Sequence, residues 1–356
     1  MQRSHLYPMA QALLAAALFG ASAPFAKVLL GDMAPVLLAA LLYLGSGVGV
    51  LLYKPMVSRR QDGQSNEARI QRSDWPWLAG AVLAGGVAAP ILLLIGLRTT
   101  PAATASLLLN FEVVATAIIA ALIFKEAVSR RALWGILAVT TASIILSWDT
   151  SGEWGFSLGA LAILAACVLW GVDNNLTRNI SAKDPLTIVL VKGFGAGSLS
   201  LALALVLGAD LPAIGVIVGA LLLGAFSYGM SIVLFIRALR GLGAARTGAL
   251  FGTAPLVGMV ISLLLFQEAP TNLWIALPFV LLATLLLLTE KHSHEHRHEA
   301  VTHEHRHRHD DGHHNHQHPG TVDRGFEHSH AHLHELLVHE HSHLPDIHHR
   351  HPHPAD

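Results

Sequence analysis

Two groups of residues in this 356-residue chain can do chemistry, and they lie in very different surroundings. The first is Glu112, a carboxyl inside a long apolar run, with Asn110 two residues before it and Thr116 four after. A charge near the centre of a bilayer costs about 2.5 kcal/mol or more, so an ionisable residue there is expected to face a cavity and to have a function. Glu112 is a candidate to bind and release a proton near neutral pH or to ligate a cation. The bland alternative is a protonated glutamate hydrogen-bonded to a neighbouring helix.

The second group is the tail. Twenty-three of the 24 histidines fall in the last 65 residues, interleaved with acidic and small polar residues. Neutral imidazole is the commonest protein ligand for zinc, nickel, cobalt and copper, and carboxylates can complete the shell. Candidate ligands are His292, His294, His296, His298, His303, His305, His307, His309, His313, His314, His316 and His318. The same imidazoles protonate together below pH ~6.5, so a pH sensor is a second account. A passive solvated tail is the third. A purification tag fits poorly, because no block of six consecutive histidines occurs.

Weaker candidates surround the first group. Asp173, Asn174 and Asn175 follow Trp170, in the place that Ser22, Ala23 and Pro24 hold earlier in the chain. They are read either as the polar lining of an entry or as an ordinary helix end, since such residues favour termini. Tyr228, beside Ser227, is a further polar candidate, while Lys27 and Lys192 read as snorkelling anchors. Glu126 and Glu268 read as structural corners. The chain's one cysteine, Cys167, excludes an intrachain disulfide and reads as a small core residue.

The elements that position these residues must be membrane helices. Hydrophobic residues make up 53% of the chain and charged ones 13%, too few charges to cover a soluble domain of this size. A span needs about 20 apolar residues. Runs near that length begin near Met9, Met33, Trp75, Ala102, Ala132, Phe156, Leu186, Ala213, Arg246 and Asn272. Arg3 followed by an apolar stretch and Ala21-Ser22-Ala23 resembles a signal peptide. Pro24 would directly follow that cut and the segment recurs later in the chain, so it is expected to be retained.

Charge sets the expected orientation. With the N-terminus inside, 15 basic residues of the body fall on the inner side and only Lys27 and Arg98 outside. An even number of spans then puts both termini in the cytoplasm. Trp75, Trp77, Trp148 and Trp154 sit at predicted span ends, where interfacial anchors belong. The tail carries 6 basic against 11 acidic residues and gives no hydrophobic face to bury, so it is expected to be disordered, with at most a short helix over Leu333–Val338.

The body is internally repeated. A shift of 142 residues lays Leu97–Glu126 on Leu239–Glu268, matching Ala102 with Ala244, Leu108 with Leu250, Phe124 with Phe266 and Glu126 with Glu268. A weaker shift of 151 pairs Phe19-Gly20 with Trp170-Gly171. Each half has five predicted spans, so the halves must face opposite ways. Inverted repeats of this kind mark secondary transporters, with the binding site near mid-membrane between the halves. Channels and membrane enzymes fit that layout less well, and no enzymatic activity is expected.

The pattern resembles the EamA-type branch of the drug/metabolite transporter superfamily over about residues 9–290. The resemblance rests on Leu18-Phe19-Gly20 and Leu169-Trp170-Gly171 opening each half, and on Ala102–Glu126 and Ala244–Glu268. It implies a ten-helix exporter with a central cavity, working without ATP, and no P-loop is visible in the sequence. One departure concerns an acid followed by proline, a pair often found in the family's first-half motif. Here Val113 follows Glu112, while Pro255 follows Ala254 in the second half. The histidine tail lies outside the family pattern.

The expected fold is all-α and integral to the membrane, with ten transmembrane helices in two inverted five-helix repeats, 1–148 and 149–290, and a disordered histidine-rich tail, 291–356. The expected setting is the inner (cytoplasmic) membrane of a cell, crossed many times. The leading functional expectation is an exporter of a divalent transition metal such as nickel, cobalt or zinc, collected by the tail. Against it, the body has no histidine after His5 and a single cysteine, which leaves carboxylates, amides and backbone oxygens. The alternatives are an exporter of amino acids or other small metabolites with the tail as metal store or regulator, and a membrane-tethered metal buffer without transport. No cofactor is required and no nucleic-acid partner is expected; the sequence leaves the oligomeric state open.

Overall fold

A computed structural model describes residues 3–58, 68–124, 130–148, 157–180, 183–235, 237–238, 250–267 and 271–288 of the body. It also describes the backbone of 293–298, 301–307, 328–334 and 337–342 in the tail. Every regular element longer than an isolated bridge in the described body is helical. In chain order these are α1 (Arg3–Gly20), α2 (Ser22–Leu29), α3 (Pro35–Ser58), α4 (Trp75–Ala81), α5 (Ala89–Thr99), α6 (Ala102–Leu108) and α7 (Phe111–Phe124). Then come α8 (Arg130–Ser147), α9 (Leu158–Arg178), α10 (Pro185–Val206), α11 (Ile214–Leu223), α12 (Ala254–Phe266) and α13 (Thr271–Leu288).

Among the described residues, seven helical stretches are long and apolar enough to cross a bilayer: Tyr7–Leu29, Pro35–Met56, Arg72–Thr99, Ala102–Ile123, Leu158–Thr177, Pro185–Val206 and Ile214–Phe235. Three shorter apolar helices cover Leu133–Ser147, Ala254–Phe266 and Thr271–Leu286. These ten stretches fall where the ten apolar runs were read. The exposed outer faces carry Leu52, Leu122, Trp134, Val206 and Leu264, apolar side chains that a lipid environment would accommodate. Trp75, Trp77 and Trp148 are exposed at helix ends; Trp154, Glu126 and Glu268 lie outside the described residues.

Two irregularities repeat. Wide π turns run over Val82–Ala88 and over Gly224–Met230, and their starts and ends are each 142 residues apart. The fourth apolar run breaks at Leu109-Asn110, and the stretch leading into α12 breaks at Gly252-Thr253, again with Asn110 and Gly252 142 apart. The shift found in the sequence therefore governs backbone defects as well as side-chain identity. The first-half break forms without a proline: Asn110 turns both its main-chain N–H and its side-chain amide onto the Leu107 carbonyl, at 3.1 and 3.0 Å. Pro255 opens α12 in the second half, where a missing N–H costs nothing.

The motif glycines lock the halves together. A side chain on Gly20 would meet the Ala254 carbonyl oxygen at 2.2 Å, and one on Gly171 would meet the Thr116 nitrogen at 2.9 Å. Each half thus opens with a helix whose glycine lets it lie on the broken helix of the other half.

The tail departs from the expectation of disorder, and of a short helix over Leu333–Val338. Four strands form, β1 (Ser293–His298), β2 (Val301–His307), β3 (His328–His334) and β4 (Leu337–Ser342). β1 pairs antiparallel with β4 and β2 with β3, setting His294 opposite His341, His296 opposite His339 and His305 opposite His330. Composition argues against a buried core, but a two-stranded ladder needs only backbone hydrogen bonds, and alternation of histidine with other residues has the strand period of two. His292, His309, His313, His314, His316 and His318 lie outside the described residues.

Candidate functional site

Glu112 stands in the first turn of α7, directly after the break, and is only partly buried. α9 packs along α7, with Gly171 against the backbone of Ala115 and Thr116. Asn174 of α9 faces the carboxyl. Its side-chain amide donates to Glu112 Oε1 at 2.8 Å and to Thr116 Oγ1 at 3.1 Å. Asn174 is itself exposed, so the Glu112–Asn174–Thr116 group is open on one side rather than sealed in the core.

Behind it lies a closed group. Asp173 is 4% exposed and receives Lys192 Nζ on both oxygens, at 2.7 Å to Oδ1 and 2.6 Å to Oδ2. Thr177 Oγ1 donates to the same carboxylate at 2.8 Å. The reading of Lys192 as a snorkelling anchor is therefore wrong: a carboxylate one helix away offers a stronger partner than the bilayer edge. Its only hint in sequence is its place, the eighth residue of a span. Lys27 likewise turns inward and donates to the Thr100 carbonyl.

The first π segment borders the closed group. The Gly85 carbonyl accepts from Tyr43 Oη at 2.8 Å and from Trp170 Nε1 at 3.0 Å. Neither donor was singled out in the sequence, although Trp170 belongs to the Leu-Trp-Gly motif. Tyr228, in the second π segment, stacks against Tyr43 with ring centroids 5.5 Å apart and meets Phe19 edge-on at 6.0 Å. Phe19 continues to Phe251 at 5.3 Å, giving an aromatic wall contributed by both halves.

The structure thus brings Glu112, Asp173, Asn174 and Tyr228 into one neighbourhood. Asn110 does not join it by hydrogen bonding; it caps the break. Asn175 donates to the Gly171 and Thr116 carbonyls at 2.8 and 3.1 Å and serves as helix-packing glue. Among the described residues, no group of three or more His, Cys, Asp or Glu side chains is placed to hold a metal ion.

Comparison with known proteins decides the family. The model of the EamA-like transporter family matches twice, over residues 7–148 and again over 157–289. The chain belongs to the EamA-like transporter family. An uncharacterized transporter from Methanothermobacter thermautotrophicus is 32% identical to it over 266 residues, covering 70% of this chain and 76% of that one. A crystal structure described only as that of a protein superposes with a TM-score of 0.56 at 18% identity, covering 81% of this chain and 98% of the other, and supports the fold alone. An EamA-like transporter is a multi-pass protein of the lipid bilayer that moves a small solute.

The two ends of the α3–α10 pair differ. At one, Lys54 Nζ reaches Asp184 Oδ2 at 3.1 Å and Lys183 Nζ lies 3.6 Å from Asp74 Oδ2, so residues of both halves are paired. At the other, a hollow of about 400 Å³ is lined by Asp32, Arg98 and Asp210 among others. Glu112 is not part of that hollow.

Proposed function

We propose that this EamA-like transporter is a secondary exporter of a small organic solute bearing a cationic group, with Glu112 as the residue that binds it or the proton exchanged for it. The observation that carries this reading is the Glu112 carboxyl itself. It sits in an apolar span, at a break, partly exposed, with a neutral amide as its hydrogen-bond partner. The aromatic rings of Tyr43, Tyr228 and Phe19 favour an organic cation through their π faces.

Ten crossings in two oppositely oriented halves, both termini in the cytoplasm and a place in the inner membrane complete the reading. Support comes from the basic residues predicted on one side and from the π segments and helix breaks that recur 142 residues apart. The tail binds transition metal as a store or regulator on the inner face.

A second reading makes the metal the cargo, and the 23 tail histidines favour it. The donors around Glu112 are an amide and a hydroxyl, which select poorly for nickel over magnesium. That places the organic solute first.

Cells expressing the full chain, a version ending at Glu290, and Glu112→Gln should be compared for metal and metabolite accumulation. Metabolite efflux that depends on Glu112 and survives loss of the tail supports the organic exporter. Lowered internal nickel or cobalt that requires both Glu112 and the tail moves the reading to metal export. Phenotypes indifferent to Glu112→Gln leave a membrane-tethered metal buffer.

A further inference from the structure

Three charged side chains, each from a different helix, lie within electrostatic reach of one another. Glu112 comes from α7, Asp173 from α9 and Lys192 from α10. Lys192 binds both oxygens of Asp173, at 2.7 and 2.6 Å. Glu112 receives the Asn174 amide, which brings no charge.

The remaining ionisable groups nearby are the phenols of Tyr43 and Tyr228 and the thiol of Cys167, all neutral at pH 7 in their ordinary state. Among the described residues, other charged groups on elements packed against α9 are engaged elsewhere. Arg98 of α5 donates to the Met33 carbonyl at 3.4 Å, and Asp74, just before α4, pairs with Lys183. Among the described residues the local sum is therefore one positive charge against two negative ones.

Uncompensated charge is costly in a bilayer, whereas a paired and hydrogen-bonded one is tolerated. Asp173 and Lys192 cancel, and an ionised Glu112 leaves exactly one charge to be met from outside the protein. We infer that Lys192 is a specificity-determining residue: by occupying Asp173 it restricts the site to a single positive charge, one proton or one monovalent cationic group, and denies a divalent ion its second carboxylate. The inference rests on the reading of Glu112 as the passage residue. Only one half carries the device. Laying Pro35 on Pro185, which also matches Gly45 with Gly195 and Gly47 with Gly197, puts Leu42 opposite Lys192.

Without Lys192 the two carboxyls would share one low-dielectric site, and like charges so placed do not both ionise. The test is infrared difference spectroscopy of the full-length protein in lipid nanodiscs, following the carboxylic acid carbonyl stretch, a band that histidine lacks. Between pH ~6 and ~9, solvent-exposed carboxyls, with pKa values near 4, stay ionised and silent. Lys192→Met is expected to gain one protonated carboxyl band relative to the unmodified protein, and Lys192→Arg none. Lys192→Met/Asp173→Asn, which keeps the local charge balance if the single variant fails to fold, should match the unmodified protein, while Asp173→Asn alone leaves Lys192 to hold Glu112 ionised and should show no band. A Lys192→Met spectrum identical to the unmodified one, or a double variant with an additional band, overturns the inference. Because the bands are counted without any transport assay, a Glu112→Gln protein that still transports would sink the passage reading separately.

Discussion

Asp173 occupies the space that a side chain on Gly85 would need: a Cβ built there lies 1.9 Å from Asp173 Oδ2. The glycine is what allows a buried, Lys192-bound carboxylate to lie against the backbone of the first π segment. Gly85→Ala should therefore displace Asp173 and destabilise the protein by about 1–3 kcal/mol, the usual cost of overpacking. Thermal unfolding in detergent reads this directly. An unchanged melting temperature would mean that α9 can shift away freely.

Trp170→Phe removes the donor to the Gly85 carbonyl, which retains Tyr43, and replaces a buried indole with a smaller ring. Interhelical hydrogen bonds within membranes are worth about 0.6 kcal/mol on average and at most about 1.7 kcal/mol, and the lost ring volume adds to that loss. Combining it with Tyr43→Phe leaves that carbonyl without either donor and should cost more than the two single changes together. A double-mutant cycle on unfolding free energies measures the excess.

The Lys54–Asp184 pair predicts a pH dependence. Burial by itself would raise the Asp184 carboxyl, but hydrogen bonds from Thr187, Lys54 and the Leu186 amide, together with the Lys54 charge, hold it below the ordinary carboxylate value. A carboxyl depressed on folding adds stability above its unfolded pKa of ~3.9 and loses that contribution as pH falls through the folded value. Lys54 is 41% exposed, so the pair contributes at most about 1 kcal/mol. Asp184→Asn preserves the cap at Leu186 and should melt lower than the unmodified chain at neutral pH. The gap should close in acid, and a gap independent of pH counts against the ion pair.

The tail should bind nickel, cobalt or zinc at several equivalents above pH ~6.5 and release them as the imidazoles protonate. Equilibrium dialysis of the full chain against a version ending at Glu290 measures both properties. Removing metal with a chelator should leave the melting temperature of the body unchanged, since among its described residues no group of three or more His, Cys, Asp or Glu side chains is placed to hold a metal ion. A large fall on chelation would instead assign the metal a place within the helices.

Sequence alone determined the helical class, the places of the ten apolar stretches, the 142-residue repeat and the presence of a carboxyl, Glu112, within an apolar span. These are local or periodic properties: hydropathy summed over a span, charge at its ends, and identity at a fixed shift. Asn174 was named beside Asp173, but their separate fates were not legible. Neighbours on one helix face different ways, so Asn174 meets Glu112 while Asp173 turns to Lys192 and Gly85. Lys192 was misread because hydropathy weighs a charge by its depth, whereas its partner is fixed by which helix packs alongside. The break at Asn110 was likewise invisible to a search for proline, since an asparagine can end a helix by turning its main-chain and side-chain N–H groups onto one carbonyl. Only tertiary packing decided these points, because they depend on residues from four helices meeting where glycines let their backbones come close.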